Sequence, residues 1–340
     1  MSRIVTFGEI MLRLAPEGYY RFVQADKYLA TPGGAEANVA VSLSGFGMEA
    51  AFVTKLPEHE IGQSLVDQVR RYGVDTSRIV RGGSRAGVYF CEKGASQRAS
   101  KVIYDRAGSA IALAGREDFD WDAIFDGADW YHFTGITPAL GPNVAEICID
   151  ACQAAKAKGL VVSCDLNYRK NLWTKEEARA AMTGLMEYVD ICIANEEDAA
   201  DVFGIRAADT DVTAGQVSRE GYKDVATQLM ERFGFRKVGV TLRESISASD
   251  NNWSAMLYDG AAFSFSKKYA VHIVDRVGGG DSFTAGLIYA LLNDFGPQEA
   301  VEFAAAAGCL NHTVEGDFNH VSVDEVMKLA EGDGSGRVQR

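Results

Sequence analysis

Asp275-Arg276-Val277-Gly278-Gly279-Gly280-Asp281-Ser282-Phe283-Thr284-Ala285-Gly286 is the stretch that decides how this chain is read. Its three consecutive glycines separate an apolar run, Ala270-Val271-His272-Ile273-Val274, from a helical pattern. That pattern puts Phe283, Leu287, Leu291 and Leu292 near one face. Residues without Cβ let successive backbone N–H groups turn toward one point. The helix behind them adds unpaired amides and the positive end of its dipole. Such a hole stabilises a phosphate group that gains charge during transfer. Asp281 stands at its mouth, where a carboxylate opposes anion binding. Two readings of Asp281 are open here: a helix N-cap and a general base. The spacing is neither GxGxxG nor the Gly-Lys-Ser/Thr of a P-loop.

Outward from this stretch the chain alternates. Ile4–Phe7, Ala51–Val53, Trp130–Phe133, Leu160–Asp165, Ile191–Ala194 and Val238–Leu242 read as strands, with helical periodicity between most of them. Strand–helix alternation predicts a mostly parallel sheet covered on both faces. Two stretches depart from it, about 13–29 and 85–106. In the second, Val88–Cys91 and Val102–Tyr104 look like strands with no helix between them. Together they predict a separate small sheet, a lid. A hairpin is expected at Ala255–Phe265, a surface insertion at 207–221 and a disordered tail at 331–340, with 1–330 as one domain. The polar clusters fall at strand ends, where ligands bind in such sheets.

The 340 residues are 47% hydrophobic, ample for a core, and carry a formal charge of -13. That charge argues against nonspecific binding to nucleic acid or an anionic membrane. The six cysteines lie in apolar segments without a CxxC, which predicts buried, reduced thiols. The five histidines show no ligand spacing. The chain starts directly on a strand pattern and has no apolar run long enough to span a membrane, so a cytoplasmic location is expected.

A second glycine turn, Gly33-Gly34-Ala35-Glu36-Ala37-Asn38-Val39-Ala40, opens an early helix. It would let a polyol approach the backbone, with Asn38 donating to or accepting from hydroxyls. Paired, the two glycine motifs resemble the N- and C-terminal signatures of the ribokinase-like (PfkB) carbohydrate kinases. The resemblance covers about Arg3 to Leu329. It implies a ribokinase-like three-layer α/β/α sandwich with a mostly parallel central sheet plus a small β-sheet lid. It also implies ATP as phosphoryl donor with Mg²⁺, and leaves a monovalent-cation requirement open. Within the family, three runs resemble the 2-keto-3-deoxygluconate kinases: Tyr104-x-Arg106, Asp165-Leu166-Asn167-Tyr168-Arg169-Lys170-Asn171-Leu172-Trp173, and His312-Thr313-Val314-Glu315-Gly316-Asp317-Phe318-Asn319.

The expectation is therefore ATP-dependent phosphorylation of 2-keto-3-deoxygluconate to its 6-phosphate. A fructokinase or another sugar kinase of the family is the alternative, and a noncatalytic sugar-binding sensor the alternative from another class. The resemblance makes Asp281 the base and Gly278, Gly279 and Gly280 the anion hole. It puts Gly33, Gly34, Asn38, Tyr89, Tyr104, Arg106 and Arg169 on the sugar. Arg13 replaces an Asp of the ribose and fructose relatives, and is expected to hold a substrate carboxylate with Arg106 and Arg169. Asn167, Arg169, Asn195, Thr241, Gly278, Gly280 and Asn311 fall on the nucleotide side. Asn195 and Asp198 would reach the metal through water. A homo-oligomer joined through the lid is expected. Two positions depart from the family pattern. Leu242-Arg243-Glu244-Ser245-Ile246 stands where a Gly-x-x-Gly turn usually follows Thr241, and Arg276 replaces a small residue.

Overall fold

The computed structural model describes residues 2–195, 197–207, 219–334 and 336. Its main sheet has nine strands. Glu49–Val53, Arg3–Phe7, Trp130–Thr134, Val161–Asp165, Ile191–Asn195 and Lys237–Ser245 lie side by side and run parallel. Asp250–Tyr258 continues the sheet antiparallel and pairs with both Phe263–Phe265 and Tyr269–His272.

Successive side chains on a strand face opposite ways, and both faces here are buried. Ile4, Phe52, Ile191 and Ile193 join one core, with the helices Ala35–Gly45, Gly279–Leu292 and Pro297–Asn311. Val5, Phe7, Cys192 and Ala194 join the other, with Pro142–Ala157, Lys175–Met186 and Arg219–Phe233. This double burial is why the parallel strands read as unbroken apolar runs. The three-layer expectation holds. The six cysteines are free and buried.

The separate small sheet is also present, ordered Tyr28–Gly33, Met11–Pro16, Gly87–Glu92, Lys101–Asp105. The first lid segment differs from its expected bounds: two strands begin and end it, and a short 3-10 turn at Phe22–Gln24 lies between them. The hairpin also begins earlier, at Asp250 rather than Ala255. Pairing of Arg243, Glu244 and Ser245 with Trp253, Asn252 and Asn251 carries the preceding strand past Leu242. The expected insertion at 207–221 and tail at 331–340 lie largely outside the described residues. Among the described residues, no helix is long and apolar enough to cross a membrane.

Candidate active site

A cavity of about 350 Å³ opens where the parallel strands end beneath the lid. Gly278, Gly279, Gly280 and Asp281 line it. Gly278 has φ +85° and is itself the N-cap of the helix Gly279–Leu292, with no side-chain cap. A Cβ there would lie 2.2 Å from the Asp317 carbonyl oxygen, so the position needs glycine. Asp281 consequently sits inside the first turn. It is not the cap, and that reading of the sequence falls. Its Oδ2 accepts instead from Nδ2 of Asn38 at 2.7 Å. The two glycine motifs, far apart in the chain, thus meet at one hydrogen bond. Removal from water pushes the Asp281 carboxyl up to about 7. The Asn38 bond opposes that rise, Asp317 and Glu36 add to it, and Arg169 opposes it.

The lid supplies the facing wall. Tyr89 and Tyr104 are partners in register on adjacent lid strands, their rings 5.8 Å apart. The Arg106 guanidinium stands 5.3 Å from the centre of the Tyr104 ring. Its Nε donates to Oε2 of Glu9 at 2.7 Å, and Nη2 pairs with the same oxygen. Ser109 donates to the other oxygen of Glu9. Arg106 is therefore held side-on, with Nη1 outside the pair. A second cavity, about 820 Å³, shares Tyr104, Arg106 and Arg169 with the first. Arg169 donates to the carbonyl of Tyr168. No carboxylate among the described residues lies within 4.0 Å of its nitrogens, although Asp165, Asp198 and Asp281 all feel its charge.

Gly34, Asn167, Asn195 and Thr241 also line the first cavity. Thr241 is the cross-strand partner of Asn195. Asn167 holds φ +39°, the left-handed region that asparagine tolerates better than most residues. Asp165 joins this wall; burial, then Asp198 and Asp281, raise its carboxyl well above the usual range.

Four expected residues stand behind the cavity rather than on it. Arg13 is buried, with Nη2 2.6 Å from Oδ2 of Asp275 and Nη1 2.7 Å from Oδ1 of Asp317. Its fork is filled by the protein's own carboxylates, so it has no edge left for a substrate acid. Gly33 packs where a Cβ would meet the Asp317 carboxylate at 2.1 Å. Asp198 accepts from the backbone N–H groups of Tyr168 and Asn195, so it shapes the Asn195 turn from inside. Asn311 donates to the Val277 carbonyl at 3.0 Å and props the glycine loop from beneath.

Sequence reasoning missed Glu9, Trp253, Arg243 and Asp317 as members of the site, all of which line the cavity. Glu9 carried a usable signal, a carboxylate following the glycine that ends the first strand. Trp253 gave none, because a tryptophan in a strand reads as core.

The model of the pfkB family carbohydrate kinases matches residues 1–322. Among solved structures, a 2-dehydro-3-deoxygluconokinase of Thermotoga maritima superposes with a TM-score of 0.94 at 53% identity, over 97% of this chain and 98% of that one. A 2-dehydro-3-deoxygalactonokinase of Haloferax volcanii is 32% identical over 98% of each chain. Fructokinase-1 of Oryza sativa is 28% identical, over 96% of this chain and 97% of its own.

Proposed function

The chain belongs to the pfkB family of carbohydrate kinases, and on that premise we propose that it transfers the γ-phosphoryl group of ATP to the 6-hydroxyl of 2-keto-3-deoxygluconate. The relatives named for 2-keto-3-deoxy sugar acids support this choice. So does Arg169, the observation that carries it: a cavity arginine without a carboxylate partner among the described residues. A sugar acid supplies that partner, whereas fructose does not. Arg106 takes a smaller part than its motif suggests, because Glu9 already balances its charge.

In this account Asn38 and Tyr104 face the sugar hydroxyls, and Asp281 takes the proton of the hydroxyl as the bond to phosphorus forms. A carboxyl near 7 suits this work, since at neutral pH about half of it is ionised and the ionised form is a stronger base than an ordinary carboxylate. The amides at the start of the Gly279–Leu292 helix receive the charge that develops on the transferred group. Magnesium fits the opposite wall. Asp165 and Asn195 reach the cavity there, and the repulsion that Asp165 feels from Asp198 and Asp281 is what a cation relieves. No group of three or more His, Cys, Asp or Glu side chains among the described residues makes a cage, which suits an ion held mainly by water and phosphate oxygens. When bound, magnesium neutralises phosphate charge. The reaction takes place in the cytoplasm, in a homo-oligomer joined through the lid. The apolar side chains of Leu29 (65% exposed) and Ile103 (55%) support that contact.

The test is an ADP-release assay over 2-keto-3-deoxygluconate, its galactonate epimer and fructose, with and without potassium. Phosphorylation of the acids well above fructose is expected. Equal or better turnover of fructose overturns the acid assignment. Arg169→Ala should raise KM for the acid by about tenfold or more, one lost charge-assisted hydrogen bond, and leave KM for ATP less affected. An unchanged KM for the acid removes Arg169 from that role.

A further inference from the structure

The two departures from the family pattern meet in space. Arg243 follows Thr241 by two residues on the Lys237–Ser245 strand, so both side chains leave the same face of the sheet. Arg276 comes from the other end of the cavity wall, just before Val277 and the glycines. Both arginines line the cavity that holds Gly278–Gly280 and Asp281. They are close enough that Arg243 weighs, with burial, against the charge on Arg276. Like charges brought together need a reason. No carboxylate among the described residues lies within 4.0 Å of either guanidinium. The nearby acids are engaged elsewhere: Asp275 with Arg13 and the N–H of Gly316, Glu244 with Lys268 and Asn252. Arg276 uses Nη2 on the carbonyls of Ser247 and Ala248, which orients it without neutralising it. His312, packed against Trp253, is kept uncharged by burial and by the two arginines, its pKa lowered to about 4.

We infer that Arg243 and Arg276 form a subsite for the phosphate chain of the donor nucleotide, next to the hole that takes the transferred group. The inference rests on the kinase reading and adds to it how this chain holds its donor. Guanidinium forks bind phosphate oxygens and not the base, so affinity follows the number of phosphates. A tetra-anion entering beside Asp281, in a protein of formal charge -13, needs such a local reversal of the field.

The decisive experiment is calorimetric binding of ADP, AMP and adenosine to the whole chain and to its Arg243→Gln and Arg276→Gln variants, at two salt concentrations. Arg243→Gln carries the decision, because Arg243 is exposed and Arg276 also holds a loop. Each variant is expected to weaken ADP by about tenfold, AMP by less and adenosine not at all, with a shallower salt dependence. ADP affinity within twofold of wild type in Arg243→Gln overturns the inference alone. So does an equal loss for adenosine, which would mean the nucleoside is what these side chains touch. A wild-type chain that binds no adenine nucleotide overturns the kinase reading, and the inference with it.

Discussion

Asp281 shows at residue scale what local pattern can and cannot tell. An Asp before a helical run satisfies the rule for a cap, and only the positive φ of Gly278 moves the helix start upstream of it. With its side chain released from capping, its acidity is set by burial and by Asn38. A titration consequence follows. The folded carboxyl keeps its proton up to about 7, against an ordinary value of 3.8. Between those pH values the folded state binds the extra proton, so the wild-type chain loses stability as pH rises through that window. Asp281→Asn has no such group. Its melting temperature, relative to wild type and without ligands, should therefore climb from pH 5 to pH 8. A difference that stays flat over this range contradicts the raised acidity. The activity of the wild type should fall as pH drops below about 7, because the base is then protonated.

At the scale of elements, the lid is fastened to the start of the glycine loop by Arg13. It leaves the Met11–Pro16 strand and ends between Asp275 and Asp317, while Tyr89 of the neighbouring lid strand donates to Asp317. The sequence could name Arg13 as unusual but not find its partners. They lie 262 and 304 residues away, and an ion pair across such a span leaves no periodic trace. The strands and the glycine turns were legible because their signals are local: apolar runs buried on both faces, and glycines where a Cβ would collide. Arg13→Met takes the ion-pair partner of Asp317 away and leaves Asp275 only Lys93, 3.9 Å off. It is expected to cost about 3–5 kcal/mol in denaturant unfolding. A loss under about 1 kcal/mol would mean the pair is solvated and the lid is not fastened in this way.

For the whole molecule, the lid also presents a surface open to a partner. Every residue of its Lys101–Asp105 edge strand is exposed, and an open edge beside apolar side chains invites pairing. Light scattering should find a dimer or larger at micromolar concentration, and Ile103→Lys should shift it toward monomer. A wild-type monomer under those conditions contradicts the lid contact. Charge and composition pointed away from nucleic acid and membrane without pointing to a substrate. The sugar side became legible only through motifs on separate strand ends, which the parallel topology gathers at one cavity. The most direct test of Asp281 as base is the turnover of Asp281→Asn with 2-keto-3-deoxygluconate, ATP and magnesium, measured beside its affinity for ADP. Asparagine keeps the size of the side chain and loses the base. The predicted result is a fall in kcat of about 10²–10⁴-fold with ADP binding retained; turnover within a few-fold of wild type would contradict it.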